Sequence, residues 1–456
     1  MPSVFLGARG NSSGVPAPCN ATPMNALPSG PPEPPFIQTL RWLLRPISFM
    51  ESCRRRFGDA FSVRFLGFQT PMVMLSDPEA IRALYTVPEH GLPPGRTVAL
   101  LPIVGPRSVL LLEGREHLAR RRLMLPPFHG ERMRAYEAIV REVVEREVEE
   151  WPEGRAFALH PHMQAVTLDV ILRAMFGVTD PGRRAGLAQR LGRLLADTAS
   201  PALQFGVLFS RRFGGPDPLA RLQTQTREID AMLAAEIAER RADPREDILS
   251  MLIAARFEDG EPMDDAEIRD QLMTLLLAGH ETTATGLAWT FDLLLHHPRV
   301  LERLVAEVDA GEEAYLRAVV SESLRLRPVV PLAGRRLSSE LRVNGSVLPP
   351  GTDVTPAIWL AHTRADRYPE PFAFRPERFL ENAPATYAWI PFGGGVRRCL
   401  GAAFAEMEMR VALAEILRRR ALRPASGGAE RVARRNVTFS PSNGTRAVAA
   451  VRAGQP

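Results

Sequence analysis

The sequence predicts a mainly α-helical domain with a small β sub-domain. Apolar residues recur at helical spacing over residues 131–151, 163–176 and about 264–296, spans too long for strands. The β-like runs are short. Phe61-Ser62-Val63-Arg64-Phe65 alternates, and Pro71-Met72-Val73-Met74-Leu75 follows after Gly67-Phe68, so the pair reads as a hairpin. A chain of 456 residues, 45% hydrophobic and 24% charged, is long enough for one large domain or a domain with a sub-domain.

Residues 1–36 are rich in Pro, Gly, Ser and Asn, a composition that reads as extended. Residues 1–31 are expected to be disordered and 32–456 to form a single domain. No charged start followed by an apolar stretch suggests a secretion signal, and no apolar run reaches the ~20 residues needed for a transmembrane anchor. Phe36 to Phe49 is amphipathic, suited to docking on its own domain or to touching a membrane surface. Asp77-Pro78-Glu79 opens a helix, with proline at its first position and an acid in its first turn. Gly91 to Arg107 is a long loop of the kind that binds ligands. His117 and Arg121 are four apart and share a helix face; they form either a solvated basic face or a joint grip on one anion. Residues 197–218 are irregular, and helices are expected over about 217–241, 246–258 and 315–326, the last ended by Pro328. Strand candidates lie at 334–337, 341–345 and 351–355, and 436–446 reads as a hairpin turning at Asn443-Gly444.

The formal charge is +5 and every basic side chain other than histidine is arginine. So small an excess, without a zinc-finger, RNA-binding or basic-region signature, gives no case for nucleic acid. The cysteines, Cys19, Cys53 and Cys399, are odd in number and far apart. They form no disulfide framework, which points to a reducing cytoplasm.

Three stretches carry chemistry. Phe392-Gly393-Gly394-Gly395-Val396-Arg397-Arg398-Cys399-Leu400-Gly401 sets one cysteine among glycines before a helix-like run. The glycines require a turn or a close approach, and a helix N-terminus favours a thiolate. The cysteine is either an inert buried thiol in a turn or a metal ligand. The long helix has an unusual centre, Ala278-Gly279-His280-Glu281-Thr282-Thr283. An acid and threonines inside a buried helix need partners, so the stretch is either a satisfied kink or a functional site. Glu322 and Arg325 share a helix face, with Arg378 further on in Phe374-Arg375-Pro376-Glu377-Arg378-Phe379. Alone, Glu322 and Arg325 could be a surface pair.

Phe392, Gly395, Arg397, Cys399 and Gly401 match Phe-x-x-Gly-x-Arg-x-Cys-x-Gly, which resembles the haem-binding signature of the cytochrome P450 family. Residues 278–283 resemble its oxygen-activation motif, and Glu322, Arg325 and Arg378 resemble its Glu-x-x-Arg helix with the arginine that joins it. The resemblance spans about Pro32 to Arg452. It implies the family's fold, mainly α with the small β sub-domain near the N-terminus, and haem b as cofactor. It implies that Cys399 is the proximal ligand, that Gly395 and Gly401 let the backbone approach sulfur and porphyrin, and that Phe392 packs near the thiolate. Arg397, His117 and Arg121 match positions that hold the haem propionates; Arg335 joins them, with Arg336 as the competing choice. Glu281 and Thr282 become an acid–alcohol pair that organises water and delivers protons, and Glu322, Arg325 and Arg378 a structural lock. The implied reaction inserts one atom of dioxygen into a lipophilic substrate: a fatty acid, terpenoid, steroid or polyketide. Electrons would come from a ferredoxin and its reductase docking on the cysteine side, where Arg398 contributes to a basic patch. The alternatives are a peroxide-using or rearranging haem-thiolate enzyme and a haem carrier or sensor. Neither needs the relay that Glu281 and Thr282 would form.

Overall fold

The computed structural model describes residues 27–87, 91–92, 100–177, 180–199, 220–382, 384–425, 427–435 and 437–452. Among the described residues the helices include, in chain order, α1 (Pro35–Leu44), α2 (Pro46–Phe57), α3 (Pro78–Thr86), α4 (Gly114–Met124), α5 (Arg132–Glu149), α6 (Leu159–Phe176), α7 (Pro181–Ala199), α8 (Ala220–Ala242), α9 (Ile248–Ala254), α10 (Asp265–Leu295), α11 (Pro298–Ala310), α12 (Ala314–Leu326), α13 (Ile358–His362), α14 (Arg378–Glu381) and α15 (Ala402–Arg419). The strands are β1 (Ala60–Val63), β2 (Met72–Leu75), β3 (Ala156–Ala158), β4 (Arg335–Arg336), β5 (Leu341–Val343), β6 (Ser346–Leu348), β7 (Asp353–Pro356), β8 (Arg420–Pro424), β9 (Val432–Arg435), β10 (Thr438–Pro441) and β11 (Arg446–Val451).

The 31-residue α10 is the axis of the helical part. Asp264 caps it by accepting the Glu267 N–H at 2.8 Å, and Asp265 and Glu267 place negative charge on its first turn. Leu272, Leu276, Leu287, Phe291 and Leu294 bury it in one apolar cluster shared with α5, α6, α12 and α15. Glycine inside a helix costs roughly 1 kcal/mol against alanine, and here both have a packing reason. A Cβ on Gly279 would lie 2.7 Å from Ile171 Cδ1 of α6, and one on Gly286 would lie 3.1 Å from Met409 Cε of α15.

The principal sheet has the order β1-β2-β7-β4. The predicted hairpin is present, with β1 antiparallel to β2 from Ala60↔Leu75 to Val63↔Met72. It is completed from far along the chain: β7 pairs parallel to β2, with Val73 opposite Val354, and β4 antiparallel to β7. This sheet packs with α1, α2, α3 and α13 over two smaller apolar clusters.

Several expectations change. The hairpin over 436–446 does not form. Gly444 does turn, with φ +73, but β10 pairs back onto β9 while β11 pairs with β3 and β8. Thr445 explains the divergence: its Oγ1 donates to Ala288 O of α10 at 2.8 Å, which holds the chain away from β10. Phe36 to Phe49 is two helices, because Pro46 has no N–H to continue α1 and starts α2 instead. Helices α7 and α11 are additions to the predicted set. Of the N-terminal segment 1–31, residues 1–26 lie outside the described residues. Residues 27–31 run against β1, where Ser29 O accepts the Ser62 N–H at 3.1 Å. Much of the loop at 91–107 and the stretch at 200–215 also fall outside the described residues.

Candidate active site

Cys399 ends a loop that begins at Phe392. Its N–H donates to Phe392 O at 2.9 Å, Gly393 N–H donates to Ile390 O at 3.0 Å, and Gly395–Arg397 form a single 3₁₀ turn. The glycines answer a neighbour that the sequence does not reveal. A Cβ on Gly394 would lie 2.5 Å from the Tyr85 ring, and one on Gly395, at φ +66, would lie 2.4 Å from Tyr85 O. The loop is thus moulded against α3. Gly401 has open space where its Cβ would be.

Burial pushes the Cys399 thiol up, while the Gly401 N–H aimed at its sulfur and the charges of Arg121 and Arg398 pull the other way. By accessible surface the residue is nevertheless exposed. The side chain is thus ringed by protein yet reached by solvent. Such a thiol becomes a thiolate when a cation sits on the sulfur.

Arg121 and Arg335 are interior guanidiniums that pair with no carboxylate among the described residues. Arg121, on α4 one turn after the buried His117, is half-buried. Its charge is felt by Cys399, and burial pushes its own affinity for the proton down. Arg335 is 5% exposed. Its Nη1 donates to Gly334 O at 2.9 Å, and its guanidinium stands 5.5 Å from the Tyr85 ring centroid. Among the described residues no carboxylate pairs with either. Arg336 differs: its Nε and Nη2 fork the Asp353 carboxylate at 2.8 and 2.9 Å. Arg397 Nη2 donates to Leu112 O, just ahead of α4.

On α10 the buried surface is interrupted along one face. Leu275 and Thr282 are partly accessible and Ala278 is exposed, at helical spacing. Thr282 Oγ1 donates to Ala278 O at 2.6 Å. Glu281 is turned to a different side: Gln164 Nε2 of α6 donates to its Oε2 at 2.5 Å, and Thr285 Oγ1 donates to its Oε1 at 3.4 Å. Burial holds the Glu281 carboxyl above its usual range, partly offset by Gln164. Glu281 and Thr282 are adjacent but not bonded to one another in this structure.

The three residues of the expected lock come together. Arg325 Nε and Nη2 fork Glu322 at 2.6 and 2.7 Å, with both side chains fully buried. Arg378 Nε and the Arg375 N–H add bonds to Glu322 Oε1 at 3.1 and 3.0 Å. Sequence reasoning missed His362, whose buried ring accepts the Ile390 N–H at 2.8 Å and bonds Arg325 O at 3.2 Å, tying this lock to the segment leading into the cysteine loop. It also missed Tyr85 and Gln164. The only signal for His362 was a histidine ending the apolar run Ile358 to Ala361.

Comparison with known proteins identifies the family. The family model for cytochrome P450 matches residues 28–444. The mycobacterial protein cytochrome P450 135B1 of Mycobacterium tuberculosis is 41% identical over 441 residues, covering 94% of this chain and 92% of that one. Cytochrome P450 138 of the same organism is 38% identical, covering 94% and 97%. Among solved structures, retinoic acid bound cyanobacterial CYP120A1 superposes with a TM-score of 0.79 at 26% identity, covering 94% of this chain and all of that chain. The chain belongs to the cytochrome P450 family of haem-thiolate monooxygenases.

The residues present fit a haem. That group asks for an axial donor, a slot between apolar walls and countercharges for two carboxylates. Cys399 offers the donor, and Arg121 and Arg335 are interior cations with no carboxylate partner among the described residues. A buried guanidinium is normally paired, so these two are poised for anions.

Proposed function

We propose that the chain oxidises a lipophilic small molecule with dioxygen, using Cys399 as proximal ligand and Arg121, Arg335, His117 and Arg397 to hold the haem carboxylates. Phe392 closes the cysteine loop through its carbonyl, and Gly395 and Gly401 leave room for the backbone beside the sulfur. The haem supplies the reductive activation of dioxygen, one atom of which enters the product while the other leaves as water. The chain's own part is to bind, to exclude water and to move protons. Thr282, on the interrupted face of α10, orders water at the reacting end. Glu281, held neutral more readily than an exposed acid, is the proton reservoir behind it, reached when its carboxyl leaves Gln164. Electrons come from a ferredoxin and its reductase, and the enzyme works in the cytoplasm. No described helix is long and apolar enough to cross a membrane.

The observation that carries this reading is that Arg121 and Arg335 are interior guanidiniums with no carboxylate partner among the described residues, Arg121 being within electrostatic reach of Cys399. Ile103, Leu168, Leu191, Met273 and Leu277 line a narrow apolar crevice between α6, α7 and α10, which supports a lipophilic substrate. The terpenoid acid in the name of the cyanobacterial neighbour supports the same class. The test is the reduced carbon monoxide spectrum. The protein is expected to show the red-shifted Soret band of a thiolate ligand, and Cys399→Ser to lose it; a histidine-type band in the unaltered protein would overturn the assignment. Arg335→Ala should lower haem retention, whereas Arg336→Ala should leave it unchanged.

A further inference from the structure

Helices α6 and α10 cross closely beside Glu281, because Gly279 sets no Cβ against Ile171. Each brings two polar residues, four apart and therefore on one face, to the crossing: His160 and Gln164 from α6, Glu281 and Thr285 from α10. Gln164 takes one oxygen of Glu281. The other, Oε1, is 3.4 Å from Thr285 Oγ1, which is itself 3.2 Å from His160 Nε2. His160 Nε2 is 3.7 Å from Oε1 directly, too long for a hydrogen bond, so Thr285 is the link. Its hydroxyl departs from the habit of its helix. Thr274, Thr282 and Thr290 each donate to the carbonyl four residues back, the usual course for a helical threonine. Thr285, fully buried, turns instead to side chains, with Ser440 of β10 a third neighbour at 3.5 Å. His160 is 1% exposed, and its backbone N–H donates to Gly444 O at 2.9 Å, which fixes it in the first turn of α6.

One atom of dioxygen leaves as water, so each turnover consumes two protons, and a single carboxyl holds one. Glu281 must be recharged before it can give again. Resting on the proton-carrying role given to Glu281 above, we propose that His160 recharges it through the Thr285 hydroxyl. A proton from water converts the neutral imidazole to imidazolium. The Nε2–H bond breaks as that proton passes to Thr285 Oγ1, and the hydroxyl's own O–H bond breaks as its proton passes to Glu281 Oε1. The row is left as a neutral imidazole, an intact hydroxyl and a neutral carboxyl, and no electrons move. The surroundings give it a direction. Burial, with the charges of Arg435 and His280 adding, pushes the His160 imidazole down to about 4, while burial pushes Glu281 up. A protonated His160 is therefore the stronger acid, and the proton runs towards Glu281. Recharging from the α6 side leaves the Thr282 face closed to bulk water. His160 and Thr285 act on the reaction only through Glu281 and are positioning residues for its proton.

The experiment compares His160→Gln and Thr285→Val with Glu281→Gln in the haem-loaded protein. Dodecanoic acid serves as the lipophilic probe and a photo-excited ruthenium complex as the electron source, so that no protein partner enters. His160→Gln keeps a hydrogen-bonding amide beside Thr285 but takes up no proton; Thr285→Val keeps the shape and removes the hydroxyl. Both should keep the carbon monoxide spectrum, slow dioxygen uptake several-fold and raise its solvent deuterium isotope effect, which a merely structural role would not move. Combined with Glu281→Gln, neither should add to the loss from Glu281→Gln alone. In the resting protein, the infrared carbonyl band of the Glu281 carboxyl, identified by its absence in Glu281→Gln, should move in Thr285→Val, which removes the donor to Oε1. Ordinary uptake and isotope effect in both variants, with Glu281→Gln slowed, would overturn the recharging row and leave Glu281 its role. Ordinary uptake in Glu281→Gln would overturn both. Should His160→Gln fail to hold haem, Thr285→Val decides by itself.

Discussion

Thr282 shows how little a functional side chain need contribute to the fold. Its hydroxyl bonds a carbonyl of its own helix, so Thr282→Ala should change stability by less than about 1 kcal/mol. On the proposed role it should still uncouple the reaction: dioxygen uptake continues while product per dioxygen falls, read from an oxygen electrode and product analysis together. Unchanged coupling would remove Thr282 from the relay. The motif around it was legible because an acid and threonines break the apolar pattern of a buried helix. The partner of Glu281 was not, because Gln164 lies in another helix and nothing local distinguishes it. Glu408 supplies a second case. It is buried with Oε1 unpartnered, and desolvation raises its carboxyl well above the ordinary 4.5. With the folded value raised, the unfolded chain releases the proton first as pH climbs past about 4.5. Stability is thus fullest below that pH and declines above it until the folded value is reached. Glu408→Gln should flatten this decline in thermal melts between pH 5 and pH 8, and an unchanged slope would refute the cause.

Among elements, α12 and the segment around α14 are joined by buried charge. Glu322 receives Arg325, Arg378 and the Arg375 N–H, while Arg325 also donates to His362 O and Pro371 O at 2.8 and 2.7 Å. Removing one member leaves an uncompensated buried charge, at a cost of about 3–5 kcal/mol. Glu322→Ala should therefore lose most of its haem and unfold at lower denaturant. Arg325→Lys should rescue little, since an ammonium cannot fork a carboxylate while reaching two carbonyls. Spacing revealed Glu322 and Arg325 as a pair, and the motif supplied Arg378, but His362 came only with the fold. Where local turn chemistry had to choose a distant partner, sequence reasoning failed: Asn443-Gly444 turns as expected, yet Thr445 and α10 decide where the next strand goes. Helix α7 was hidden because Gly182, Gly186 and Gly192 dilute its periodicity. Helix α11 had a legible start in Pro298, its first residue.

At the scale of the molecule, electron supply is a question of surface charge. Arg398 is exposed beside the cysteine, and an acidic ferredoxin would be steered to that side. The apparent KM for ferredoxin should rise with ionic strength, and Arg398→Glu should raise it several-fold at low salt with kcat little changed. Insensitivity to both would point to a different docking side or donor. The family fold was legible because the three motif stretches along one chain fix it. The completion of the N-terminal sheet by β7 and β4 was not, since short strands carry no label for partners across the chain.

The seat of Gly394 and Gly395 on Tyr85 has one more consequence, which concerns time. Tyr85 and the glycines lie near opposite ends of the chain, as do β2 and its neighbour β7. Contacts between such distant stretches must first meet the entropy of closing everything between them, and chains rich in them fold slowly. The cysteine loop has no surface to set against until α3 is in place, and the sheet beside α3 is completed by β7 and β4 only when residues beyond 330 arrive. Cofactor capture thus belongs to the end of folding, when the first and last parts of the chain have met.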